Sequence, residues 1–91
     1  MSITVHLPTM LAKLAADQRT LEAQGATVGD ALTDVIGRFP ELGKRLRDDE
    51  GKPYPFVTFY LNDEDIRFQG GFSASTNDGD EVIVVPTVAG G

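Results

Sequence analysis

Four consecutive apolar residues, Val82-Ile83-Val84-Val85, set the tightest limit on how this chain folds. β-Branched side chains favour extended backbone. A strand that is apolar at every position is expected to be buried on both faces and to lie centrally in its sheet. Asp78-Gly79-Asp80 just before it has the composition of a tight turn. Pro86 just after it has no N–H to donate, so sheet pairing should stop there.

A central strand needs a layer to cover it, and one long helical stripe is present to do so. Val28, Ala31, Leu32, Val35, Ile36 and Phe39 recur at the spacing of one helix face. Thr27 is the expected N-cap, and Asp30 puts negative charge in the first turn. Pro40 should end the helix, with Leu42 and Leu46 anchoring a short second turn over Glu41 to Arg47.

The remaining elements are extended. Ser2 to Leu7 alternates, with Ile3, Val5 and Leu7 on one face, and Pro8 closes it. Pro8 to Gln18 gives a mixed signal, in which Met10, Leu11 and Leu14 fit one helical turn under a connection. Arg19 to Gln24 reads as a second strand with Leu21 and Ala23 inward, broken at Gly25. Asp48 to Pro55 is a loop. Phe56 to Leu61 is aromatic and β-branched and reads as a third strand. Asn62-Asp63-Glu64 then turns the chain into a short strand over Asp65 to Phe68, and Phe72 plugs the core from the polar loop that follows.

The order is strand, strand, helix, strand, strand, strand. One amphipathic helix must cover one face of one sheet, because neither hides its apolar side alone. The first and last strands should run parallel, side by side, at the middle. The expected class is α+β, a β-grasp (ubiquitin-like) fold: a mixed sheet of four to five strands covered on one face by one main helix. Residues 1–86 form the domain and residues 87–91 a C-terminal tail.

Composition narrows the function. Eight Lys+Arg against 14 Asp+Glu give a net charge of −6. That balance disfavours nucleic-acid phosphates and anionic membranes and suits a basic or mixed protein surface. The 91-residue chain holds no cysteine, which removes disulfides, thiolate ligands and thiol nucleophiles. No charged leader precedes an apolar stretch and no apolar run reaches membrane-span length, so a cytoplasmic setting is expected. His6 is the only histidine, which excludes a histidine metal cluster, and it falls opposite the apolar face of its strand as a surface residue. Asp63-Glu64-Asp65 and Asp78-Gly79-Asp80-Glu81 lack the spacing of a calcium loop and read as turns. Phe56, Phe59 and Tyr60 read as packing residues rather than base-stacking ones. Lys13, Lys44 and Lys52 read as solvated.

No side-chain constellation for catalysis emerges, and attention moves to the chain end. Val88-Ala89-Gly90-Gly91 follows the apolar strand directly. The five residues Thr87 to Gly91 span about 17 Å when extended, enough to carry a carboxylate into another protein's active site. Gly90 and Gly91 have no Cβ, so enclosing walls can approach the backbone closely. Val88 and Ala89 serve as small apolar handles. Ordering such a tail costs about 1–2 kcal/mol per residue, which a docking surface on the globular body must offset. Phe59 or other exposed apolar residues of the sheet are the expected docking patch. A carboxylate becomes reactive as an acyl-adenylate, which sulfide or a persulfide can convert to a thiocarboxylate. The chain has neither G-x-x-x-x-G-K-[ST] nor G-x-G-x-x-G, so ATP, if consumed, belongs to a partner.

These residues resemble the ubiquitin-like sulfur carriers (MoaD/ThiS type), a family that includes the small subunit of molybdopterin synthase and the thiamine-pathway carrier. The resemblance covers essentially the whole chain. It is carried by Thr27-Val28-Gly29-Asp30-Ala31-Leu32, Phe39-Pro40-Glu41-Leu42, Asn62, and Asp78-Gly79-Asp80-Glu81-Val82-Ile83-Val84-Val85-Pro86 leading to the terminal glycines. Leu7-Pro8-Thr9, the run Asn62 to Gly71 and the ending Pro86-Thr87-Val88-Ala89-Gly90-Gly91 resemble most the carriers of a thiocarboxylate-dependent cysteine-biosynthesis route. Pro86-Thr87 stands where the molybdopterin subunit often has Pro-Pro, and the thiamine carrier usually lacks the segment Gly43 to Pro55.

The resemblance implies a protein substrate rather than an enzyme, with no catalytic residue, metal or bound cofactor. It implies that an E1-like enzyme adenylates Gly91 with ATP and that sulfur is then loaded. The acceptor would be a pyridoxal-phosphate-dependent cysteine synthase, with a metallopeptidase releasing the product. The alternatives are the small subunit of molybdopterin synthase, held by its large subunit, and a ubiquitin-like protein modifier.

Overall fold

The computed structural model describes residues 2–54 and 57–86. Along the chain run β1 (Ser2–His6), α1 (Thr9–Ala12), β2 (Thr20–Gln24), α2 (Val28–Arg38), α3 (Gly43–Leu46), β3 (Val57–Leu61), β4 (Glu64–Asp65) and β5 (Glu81–Pro86). The five strands form one sheet in the order β2-β1-β5-β3-β4. β5 is central, parallel to β1 (Val5 beside Val82) and antiparallel to β3 (Phe59 beside Val84). This is the expected β-grasp.

α2 forms where its stripe and cap require. The Thr27 hydroxyl accepts from the Asp30 N–H at 3.1 Å, satisfying one of the amides that a helix start leaves without a partner. The helix stops at Arg38, and Pro40 opens a 3-10 turn over Pro40–Leu42 that runs into α3. Val28, Ala31, Leu32 and Val35 are fully buried against Ile3, Val5, Leu21, Ala23, Val82 and Val84. Leu42 and Leu46 are buried as expected. Gly25 lets the start of α2 approach β2, since a Cβ there would stand 2.5 Å from the backbone nitrogen of Ala31.

Three local expectations are corrected. Val82 to Val85 is central but not buried on both faces: Val82 and Val84 face the core, Ile83 is half-buried and Val85 is 39% exposed. A fully apolar strand implies two covers only where helices lie on both sides of the sheet. Here α2 covers one side. Second, Met10 is 64% exposed rather than inward. The Pro8 carbonyl accepts from Leu11 and Ala12 at 3.0 and 2.9 Å, which turns Leu11, Ala12 and Ala15 to the core, with Leu14 partly buried. Third, Asp65 to Phe68 is not a strand. β4 ends at Asp65, whose carboxylate accepts from the Arg67 N–H at 2.9 Å, and that cap starts a 3-10 turn over Ile66–Phe68. The turn buries Ile66 and leaves Phe68 85% exposed.

Candidate functional site

The site is built around β5, whose start is pinned from three directions. Gly79 takes φ 90° in the turn before it, a backbone angle that glycine adopts without a steric penalty. Asp78 Oδ1 accepts from the Ser2 N–H at 2.8 Å, and the Gly79 N–H donates to the Ser2 carbonyl at 2.9 Å. The Thr4 N–H donates to the Asp80 carbonyl at 3.0 Å, locking β1 beside β5. Asn62 holds the other side. It turns at φ 58°, which Asn tolerates better than most residues. Its N–H donates to the Glu81 carbonyl at 2.7 Å, and its Oδ1 accepts from the Glu81 N–H at 3.1 Å. The acidic clusters singled out in the sequence are thus turn and cap residues. Among the described residues, no three His, Asp or Glu side chains are grouped so as to hold a metal ion.

β5 then crosses the middle of the sheet and ends at exposed Pro86, which lies opposite Val57 of β3. Val88, Ala89, Gly90 and Gly91 lie outside the described residues.

The docking expectation for Phe59 is corrected. Phe59 is 2% exposed and points to the α2 side, where its ring meets Phe72 edge-to-face at 5.2 Å. Phe72 is the partly buried plug expected from the loop. β3 alternates Val57, Phe59 and Leu61 toward the core with Thr58 and Tyr60 on the opposite face. That alternation was present in the sequence, and it marks Phe59 as a core residue. The opposite face, which no element among the described residues covers, carries Ile83 and Val85 of β5 beside Thr58 and Tyr60 of β3 and His6 of β1. Here His6 Nε2 and Glu81 Oε1 are 2.6 Å apart. His6 is on the face expected of it.

At the outer edge of β3 a groove of ≈ 490 Å³ is lined by Tyr54, Val57, Thr58, Ile66 and Arg67 among others. Its charged groups are a closed pair. Arg67 Nη2 donates to Asp65 Oδ2 at 2.6 Å, and the Arg67 N–H donates to Oδ1 at 2.9 Å. The guanidinium and the backbone amide of Arg67 hold the Asp65 carboxyl below the usual carboxylate range. Among the described residues, no helix is long and apolar enough to cross a membrane. Among the described residues, the arrangement carries β5 out to Pro86 at one end of the sheet, with the sheet face opposite α2 beside it.

Comparison with known proteins places this architecture. The sulfur carrier protein CysO of Mycobacterium tuberculosis is 40% identical over 93 aligned residues, covering 100% of both chains. A chain of the crystal structure of the Amycolatopsis orientalis BexX/CysO complex superposes with a TM-score of 0.90 at 42% identity, covering 98% of this chain and 99% of that one. SAMP1 from Haloferax volcanii superposes with a TM-score of 0.83 at 33% identity, covering 100% of both. Residues 5–91 match the sequence model of the ThiS family, and the chain belongs to that family.

Proposed function

We propose that this protein is a sulfur carrier that works through the carboxylate of Gly91, with cysteine biosynthesis as its pathway. The observation that carries the reading is the place of β5. It is the central strand, braced on both sides, and it ends exposed at Pro86 with Val88-Ala89-Gly90-Gly91 still to follow. The full-length likeness to CysO supports the same function and pathway.

In this reading an E1-like partner catalyses attack of the Gly91 carboxylate oxygen on the α-phosphorus of ATP, and pyrophosphate leaves. Sulfide then attacks the acyl carbon and displaces AMP, leaving a thiocarboxylate. The loaded chain delivers its sulfur to a pyridoxal-phosphate-dependent, cysteine-synthase-like enzyme, and a metallopeptidase frees the product. The carrier supplies no catalytic residue, holds no cofactor or metal, and acts in the cytoplasm. Val88, Ala89 and Gly90 insert the tail into the partner's cleft. Residues 1–86 supply the docking surface, now assigned to Ile83, Val85 and Tyr60 on the uncovered face in place of Phe59. These side chains are carried on the strand that ends in the tail, or beside it, so a partner that encloses the tail root meets them.

The test is the intact mass after incubation with ATP, sulfide and an E1-like enzyme already shown to load another carrier, with a Gly91-deleted control. Exchange of one terminal oxygen for sulfur, in the full-length chain alone, is the expected result. An unchanged mass sinks the reading for that enzyme. The likeness to SAMP1 favours a second reading, a protein modifier. It would show instead as adducts on lysines of other proteins that vanish with Gly91.

A further inference from the structure

β2 is the long free edge of the sheet. The opposite edge, β4, has only two residues, whereas β2 has five. An edge of that length presents unpaired N–H and C=O groups to any other extended chain. Pairing with β1 uses one set of them. Val5 stands opposite Leu21, and the Leu7 N–H donates to the Arg19 carbonyl at 2.8 Å. In an antiparallel pair, alternate residues point their backbone groups away from the neighbour. Those of Thr20, Glu22 and Gln24 therefore face outward.

Two side chains of α2 reach over this edge. Asp34 Oδ2 accepts from the Gln24 N–H at 2.8 Å. Arg38 Nη2 donates to the Glu22 carbonyl. The two side chains sit one helical turn apart, 3.7 Å from each other, and are 37% and 45% exposed. An ion pair so open to water adds little stability by itself. Its position is more informative than its strength, because it occupies one outward acceptor at the centre of the edge, on Glu22, and one outward donor at its end, on Gln24.

That donor and acceptor match each other. If two copies of β2 met antiparallel with Glu22 opposite Gln24, the Gln24 N–H of each would donate to the Glu22 carbonyl of the other. Asp34 and Arg38 hold the same two groups. The matching register also sets Ala23 against Ala23 on the core side and opposes no like charges. Leu21 and Ala23 are already buried beside β1, so the joined sheets would continue one apolar layer.

We propose that Asp34 and Arg38 form a latch that closes the β2 edge, and that the occupant it keeps out is a second copy of this chain. This inference does not depend on sulfur chemistry.

The test begins on the native chain. Hydrogen exchange should find the Gln24 amide protected and the Glu22 amide, which lacks a latch partner, exchanging about tenfold faster or more. Equal rates would overturn the latch. Light scattering should find the native chain monomeric. The double variant Asp34→Ala/Arg38→Ala, checked for folding by its thermal transition, should double in mass with rising concentration. Adding Glu22→Pro should return it to monomer, since proline at an outward-facing edge position blocks strand addition and spares the pairing with β1. A folded double variant that stays monomeric overturns the proposal. So does association that survives Glu22→Pro, or a native chain that already dimerises through β2.

Discussion

Asp65 shows how one side chain decides a segment. Its carboxylate takes the Arg67 backbone amide on Oδ1 and the guanidinium across both oxygens. The first contact ends β4 and starts the 3-10 turn. Both hold the carboxyl below its ordinary value of 3.8. A lowered pKa in the folded chain means that the pair stabilises the fold above the unfolded-state pKa. That contribution is lost as pH falls through the lower folded value. Arg67→Ala should therefore move the Asp65 titration up toward 3.8, read by carboxyl NMR. The stability gap between variant and native chain should be present at neutral pH and shrink in acid. A titration that stays where it was would assign the shift to something other than the Arg67 side chain, such as the backbone amide that the variant keeps. Asp65 was read in the sequence as the first residue of a strand. The cap was not legible because a carboxylate two residues before an amide signals a turn only once the chain bends to bring them together.

Elements differ in how far they depend on their neighbours. α2 was legible because its cap, stripe and stop are all local: Thr27 to Asp30, the spacing from Val28 to Phe39, and Pro40. β3 was legible as a strand, and Phe59 was read both as a packing residue and as a docking candidate; its burial leaves only the packing role. The correction carries a prediction. As a buried ring packed on Phe72, Phe59 belongs to the stability of the sheet–helix interface. Phe59→Ala should cost about 3–5 kcal/mol of unfolding free energy, measured by urea titration. A docking residue exposed to solvent would lose far less, and a cost under about 0.5 kcal/mol would reinstate the docking role. α1 was only partly legible. Its inward face follows from how Pro8 redirects the chain over the core, which the spacing of Met10, Leu11 and Leu14 does not encode.

The assembled protein has two unlike sides. α2 seals one face of the sheet, and the other leaves Val85 39% exposed next to half-buried Ile83. Burial of that strip by an activating partner would supply apolar contact to offset the ordering of the tail. Val85→Asp should leave the thermal transition within a few degrees of native, since the side chain already meets water, yet slow sulfur loading at least about tenfold. The check is the rate of thiocarboxylate formation by intact mass. Loading at the native rate would move the docking surface elsewhere on the molecule.

Local chemistry was enough to settle the element order, the long helix, the turn at Asp78-Gly79-Asp80 and the resemblance to sulfur carriers, because periodicity, caps and turn residues act over a few positions. The run Val82 to Val85 pointed to a central last strand, which the sheet order bears out although the two-sided burial behind that expectation does not hold. Folding in three dimensions settled what local pattern leaves free. It decided that Ile83 and Val85 face outward, since exposure depends on how many layers cover a sheet and not on how apolar a strand is. It decided that Asp34 and Arg38 close the edge of a strand ten or more residues away in sequence. Those contacts arise only when the helix is laid across the sheet, and nothing in the spacing of the residues that make them announces the meeting.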